Sequence, residues 1–293
     1  MNLYAPSYYK KFQCIADQCE HSCCIGWEID IDKRTLEKYQ TLKSNYRSAI
    51  EDSISMNGTP HFQLCAHDRC PHLDEQGLCK IILNLGEDYL CDICREHPRF
   101  YNYTSVAEVG LGMSCPEAAR IILSSADFST LENIGTVDAH SDGILFDGRA
   151  ERQRLYGILQ DTKDYTTALS ELYHNYSIDI KDDRHWLERL ESLEYLNADH
   201  KKLFMKYSSN CRPQNSDDYL KRFLAYLVYR HCTEAFDADD FGDRLTFCLF
   251  CEQLFATLIC TERATSLQKA ATLASIISEE IEYSDENTSA LMY

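Results

Sequence analysis

Little in this chain interrupts a helix. Its 293 residues include only six prolines and eleven glycines, which excludes collagen-like and low-complexity classes and points to a globular protein. Positive charge is also scarce. Twenty-nine lysines and arginines stand against 47 acidic residues, for a formal net charge of -18. Such a field repels a phosphate backbone, and no basic patch offsets it, so nucleic acid is excluded as the expected partner. An acidic surface tolerates cationic partners, such as lysine side chains on another protein, although plain solubility accounts for it as well.

Targeting and membrane signals are missing too. The opening "MNLYAPSYYKKF" lacks the basic start, apolar run and small-residue cleavage site of a signal peptide. The richest apolar run, "LTFCLFCEQLFATLIC", carries Glu252 and Gln253 and is read as too short to span a bilayer. The expectation is therefore a cytoplasmic protein with no membrane partner. No G-x-G-x-x-G turn and no alternating strand–helix pattern occur, so a nucleotide or S-adenosylmethionine pocket of the doubly wound kind is not expected.

Cysteine, by contrast, is abundant and unevenly spread. Ten of the fifteen fall between Cys14 and Cys115 and five between Cys211 and Cys260. The first group reads Cys14-x4-Cys19-x3-Cys23-Cys24, then Cys65-x4-Cys70-Pro71, Cys79, Cys91-x2-Cys94-Arg95 and Cys115-Pro116. In a reducing compartment clustered thiols bind metal more often than they form disulfides, and soft thiolates suit zinc or an iron–sulfur cluster. The spacing does not choose between them. C-x3-C-x2-C is absent, and a zinc ribbon would show two paired C-x-x-C knuckles where only Cys91/Cys94 qualifies. Cys211, Cys232 and Cys260 read as small buried hydrophobes. Cys248 and Cys251 share one face of an amphipathic helix, so packing explains them.

The remaining pattern makes the protein mainly α. A cysteine-rich metal-binding N-terminal region with few short strands, residues 1–132, is expected to pack on an all-helical region, residues 149–293, across a linker at 133–148. Helices are predicted at about 149–162, 164–176, 184–197, 199–208, 217–235, 239–262 and 265–284, with a further one beginning at Pro116. Ser216 and Thr265 are predicted N-caps, the latter in a capping box with Gln268. In the first region "WEIDID" suggests a short strand, with Asp32 capping a helix from about Arg34 to Met56. A small hairpin fits near residues 60–80.

Several segments occur together in one order: "FQC", "HSCCIGWEIDID", "CPHLDEQGLCKI", "LGEDYLCDICREHPR", "SCPEAARIIL" and the late "EIEYSDEN". In these the chain resembles the flagellin lysine-N-methylase (FliB) family, and its middle segment resembles zinc- or iron-chelating cysteine-cluster domains. The resemblance implies methyl transfer from S-adenosylmethionine to lysines of flagellin, dependent on an iron–sulfur cluster, of the 4Fe-4S kind, with zinc as the alternative. Carried over by position, the implied ligands come from Cys14, Cys19, Cys23, Cys24, Cys70, Cys79, Cys94 and Cys115. Cys91 and Cys65 match less closely. Arg95 and Arg99, next to the thiols, are candidates for the carboxylate of S-adenosylmethionine through charge-assisted hydrogen bonds. The competing reading is a non-catalytic zinc- or iron-chelating module with a structural, redox or metal-delivery role.

Overall fold

The computed structural model describes residues 1–19, 21–139, 146–161, 164–179 and 182–293. Two compact units emerge. One is Gln13–His97; the other joins Met1–Phe12 to Pro98–Tyr293. The chain opens in the larger unit with β1 (Asn2–Pro6). The smaller unit then carries β2 (Ile29–Asp30), α1 (Lys33–Gln40), α2 (Arg47–Glu51), β3 (Ile54–Ser55), β4 (His61–Phe62), α3 (Lys80–Leu85) and α4 (Asp92–Glu96).

Back in the larger unit come β5 (Arg99–Tyr103), β6 (Ala107–Leu111), α5 (Pro116–Ser124) and β7 (Leu131–Thr136). The helices α6 (Gly148–Asp161), α7 (Tyr165–Asn175), α8 (Asp183–Ser192), α9 (Ala198–Phe204) and α10 (Asp217–His231) follow. The chain closes with α11 (Ala238–Glu262), α12 (Leu267–Ile277) and α13 (Asp285–Met292). The protein is mainly α, as its residue pattern implies.

The division at 133–148 needs correction. Residues up to Thr136 form β7, which pairs antiparallel with β1, while β1 pairs parallel with β6 and β6 antiparallel with β5. This four-stranded sheet, in order β5-β6-β1-β7, draws both the N-terminus and the 98–136 segment into the larger unit. Residues 140–145 of the expected linker lie outside the described residues. β6 is buried at every position, so it has no alternating polar face for a pattern to reveal.

The helix predicted from Arg34 to Met56 is also two helices and a strand. Asp32 caps α1 as expected, its carboxylate accepting from the Thr35 N–H at 2.9 Å. Beyond Gln40, Thr41 Oγ1 bonds back to the Glu37 and Lys38 carbonyls, and Ser44 Oγ accepts the Tyr46 N–H. These side chains compete with the helical ladder and end it. Two caps differ as well: α12 is capped by Ser266, which accepts from the Lys269 N–H, and Ser216 precedes α10 without a side-chain cap bond.

The core of the larger unit centres on α11, which at 25 residues is long and apolar enough to cross a membrane, contrary to the reading of its apolar run as too short. Phe247, Leu249, Phe250, Leu254, Phe255 and Leu258 are all buried, and α9, α10, α12 and α13 pack around the helix. A helix that is apolar all round must be enclosed.

After α12 the chain makes one π-helical turn, Ser278–Glu282, which holds two buried carboxylates of the "EIEYSDEN" segment. Glu280 accepts the N–H groups of Leu196 and Asn197 and contacts His200 Nδ1 at 2.6 Å, fixing the α8–α9 turn. Glu282 Oε2 accepts from Tyr226 at 2.6 Å and Arg230 at 3.1 Å and lies 3.3 Å from His231 Nε2. Burial would raise the Glu282 carboxyl, but Arg230, His231 and Tyr226 outweigh it and hold the pKa below the usual range. Burial likewise depresses His231 despite the attraction of Glu282.

Both shifts have one sign: the unfolded chain takes up protons that the folded chain refuses. Stability contributed here is complete above about pH 6.5 and falls as pH drops, first through His231 and below about pH 4 through Glu282. Thermal unfolding is expected to show a falling melting temperature from pH 7 to pH 5. His231→Gln should make that slope shallower, and an unchanged slope would refute the assignment.

Candidate thiol-rich site

The smaller unit builds its core partly from sulfur. Ile29, Ile31, Tyr39, Leu42, Ile50, Phe62 and Leu73 pack with Cys70 and Cys91, and Cys24, Cys79 and Cys94 lie against the same cluster. Five thiols thus share one small apolar core.

Local structure positions each of them. The Cys70 N–H donates to the Cys24 carbonyl at 2.9 Å, tying the first cysteine loop to the second. Gly26, at φ +86°, lets the chain turn there, and its N–H reaches the Asp68 carbonyl. Between Cys70 and Cys79 the chain reverses on Asp74, whose Oδ1 accepts the Gln76 and Leu78 N–H groups, with Gly77 in the left-handed region. Cys79 precedes α3, Cys91 precedes α4, and Cys94 lies within α4.

Backbone N–H groups of His72 and Leu73 pull the Cys70 thiol down, and those of Ile81 and Ile82 the Cys79 thiol, but neither effect is the largest. Burial outweighs them and pushes Cys70 and Cys91 up to about 11. Cys79 and Cys94 are raised for the same first cause, Cys94 also by its neighbouring sulfurs. Cys24 alone is lowered, to about 7, chiefly by a hydrogen bond from Cys23.

In type and in sharing one core, Cys24, Cys70, Cys79, Cys91 and Cys94 fit a thiophilic metal. Among the described residues, no three His, Cys, Asp or Glu side chains are drawn together as a bound ion would hold them.

Cys14, Cys19, Cys23 and Cys115 are not among the side chains of that apolar core. Cys14 is exposed, its sulfur accepting the Ala16 N–H at 3.4 Å. Cys19 donates to the His21 carbonyl at 2.8 Å, and Cys23 is exposed beside Cys24. Cys65 is exposed as well. Cys115 belongs to the larger unit, where it packs against the helical core ahead of α5. Cys232, Cys248 and Cys251 are fully buried core side chains.

The two arginines are divided between the units. Arg95 forms ion pairs with Asp92 and Glu96 and donates to the Leu90 carbonyl. Arg99, on β5, donates to the Tyr9 hydroxyl at 2.9 Å and lies over the Tyr9 and Phe12 rings. Two further residues complete the thiol core: Tyr39, which the apolar spacing of the predicted Arg34–Met56 helix turns inward, and His72, which the sequence did not single out. Tyr39 donates to the Tyr89 carbonyl at 2.7 Å and lies 3.8 Å from the Cys91 sulfur. His72 is buried, with Nδ1 at 2.8 Å from the Tyr46 hydroxyl and Nε2 at 3.0 Å from the Ser53 hydroxyl. With both nitrogens so placed, this imidazole braces the fold. Its position two residues after Cys70 was the only sequence signal for it.

Comparison with known proteins gives related results. The chain is 31% identical over 144 residues to the flagellar biosynthetic protein FliU of Salmonella muenchen, covering 46% of this chain and 85% of FliU. It is 31% identical over 134 residues to the lysine-N-methylases of Salmonella typhimurium (strain LT2) and Salmonella choleraesuis (strain SC-B67), covering 43% of this chain and 33% of each methylase. The match thus spans about a third of the length of those two proteins. No protein-family model and no solved structure matches the chain.

Proposed function

Because this chain belongs to the family of FliU and the lysine-N-methylases, we propose that it is a protein-lysine N-methyltransferase using S-adenosylmethionine on flagellin. The observation that carries the reading is this kinship in a chain that packs five thiols into one core. In the polar form of the reaction the sulfonium–methyl bond breaks with its electron pair left on sulfur. The lysine nitrogen bonds the methyl carbon and gives up a proton. The acceptor must be neutral at that moment, so its ammonium has to be desolvated or placed beside a base.

Cys24, Cys70, Cys79 and Cys94 would hold the metal group, with Cys91 as the further donor. A cluster bound there supplies a redox-active, Lewis-acidic iron centre. Tyr39 is suited to orient Cys91, and the N–H groups beside Cys70 and Cys79 to keep those sulfurs ionised. Arg95, adjacent to Cys94, is retained for the carboxylate of the methyl donor, a role that requires it to release Asp92 or Glu96. Arg99 is the weaker assignment, since Tyr9 already holds its Nε.

One observation favours a second reading, a structural zinc or iron module: the thiols are part of the hydrophobic core of their unit. Metal analysis of anaerobically purified protein separates the two. About four iron and four sulfide per chain, together with labelled methyl on flagellin lysines, supports the enzyme. A colourless protein with zinc and no labelled lysine would leave the structural module.

A further inference from the structure

Large apolar side chains are mostly enclosed in the larger unit. Among its described residues four are exposed, and three of them, Tyr103 at 47%, Phe236 at 65% and Tyr293 at 63%, are tied to one stretch of chain, residues 234–240. Asp240 fixes two of them. Its buried carboxylate accepts the Phe236 N–H on Oδ2 at 3.1 Å and the Tyr293 hydroxyl on Oδ1 at 2.9 Å, so the loop before α11 and the residue after α13 meet at one group. Glu234 accepts the Tyr103 N–H, which joins the end of β5 to the same stretch. Apolar side chains exposed singly are ordinary, whereas several exposed together mark interaction surfaces.

The charge beside these rings is mostly of one sign. Residues 234–243, "EAFDADDFGD", contain five acidic side chains and no basic one, and Glu234, Asp237, Asp239 and Asp243 are exposed. Glu234 and Asp237 accept backbone N–H groups, which leaves their charge in place. Arg244 follows in sequence, but its guanidinium pairs with Asp240 at 2.8 Å and donates to the His231 carbonyl. Arg189 adds a cation at the Tyr293 end, where it donates to the Ala290 and Tyr293 carbonyls. Such a surface repels the same surface of a second copy and an anionic lipid headgroup, since either would bring like charge against it. It favours apolar side chains accompanied by cations.

We propose that the surface carrying Phe236, Tyr293 and Tyr103 docks a segment of another protein that presents apolar side chains flanked by lysine or arginine. The apolar groups cover the rings, and the flanking cations meet Asp237, Asp239 and Asp243. The proposal goes beyond the methyltransferase reading and stands without it. The cations held here are docking contacts rather than methyl acceptors, so they remain charged.

A fluorescein-labelled peptide of leucine and lysine serves as the probe, read by fluorescence anisotropy with the full chain. A serine–lysine peptide of the same charge and a leucine–glutamate peptide are its controls. Only the leucine–lysine peptide is expected to bind saturably, with an affinity that falls as salt rises. Phe236→Ser should weaken it about tenfold. Asp239→Asn combined with Asp243→Asn should weaken it several-fold and flatten the salt dependence. Glu37→Gln combined with Glu171→Gln makes the same change in net charge at exposed residues elsewhere and should have little effect; circular dichroism checks that every variant folds. Equal binding of the serine–lysine peptide, or equal losses in the two charge-neutralised variants, would reduce the effect to general attraction by an acidic chain and overturn the proposal. Preference for the leucine–glutamate peptide, or unchanged affinity in Phe236→Ser, would overturn it as well.

Discussion

Glu108→Ala is expected to lower the unfolding free energy of the larger unit by about 3–5 kcal/mol. Glu108 lies on β6 and is fully buried. Its Oε2 accepts from Arg152 Nη1 at 2.7 Å, and its Oε1 from Arg152 Nη2 at 2.9 Å and Arg149 Nε at 2.8 Å. Burial alone would raise its pKa, yet the two arginines hold it below the carboxylate range. Arg152 is itself buried, bonds Thr233 Oγ1 and lies over the Tyr229 ring at 4.8 Å.

Removing the carboxylate strands a buried guanidinium without its counter-charge, and this isolated charge sets the size of the loss. Glu108→Leu combined with Arg152→Leu should recover most of it, because an apolar pair replaces a buried ion pair at little cost. Arg149 is part-exposed and can turn to solvent. Urea unfolding of the single and double variants measures both effects. A double variant no more stable than Glu108→Ala would show that shape, not charge, governs the site.

The second large effect concerns the thiols. Cys70→Ser is expected to lower metal affinity at least about 100-fold, since even residues that only support a ligand are worth 10–100-fold, and to abolish lysine methylation with it. Cys14→Ser should leave metal content unchanged: Cys14 is exposed, and its recorded sulfur contact is with its own loop. Metal binding that assembles a site is also folding free energy. Chelation should therefore open the Gln13–His97 unit, read as proteolysis at the exposed loop near Gly58, while the larger unit persists. Full metal content in Cys70→Ser, or its loss in Cys14→Ser, would reverse the choice of ligands.

Periodic features were legible without coordinates. The helices from α6 to α12 follow apolar spacing, α5 begins with Pro116 at its first turn, and Asp32 caps α1. The buried Cys248 and Cys251 follow from the same periodicity. The missed elements share a physical cause. β6 has no exposed face, and the π turn at Ser278–Glu282 keeps a helical apolar pattern while changing which carboxylates face inward. Neither leaves a period to count. The break after Gln40 depends on side-chain bonds that compete with the helix, which apolar spacing does not register.

What the residues alone determined is chemical: a mainly helical, acidic chain, rich in thiols over its first 115 positions, with a motif order shared by lysine-N-methylases. Which thiols meet was decided only in three dimensions. Cys24, Cys70, Cys79, Cys91 and Cys94 converge because two turns and two helix starts fold onto one apolar core, of which Cys14 and Cys19, equally cysteine in sequence, are not part.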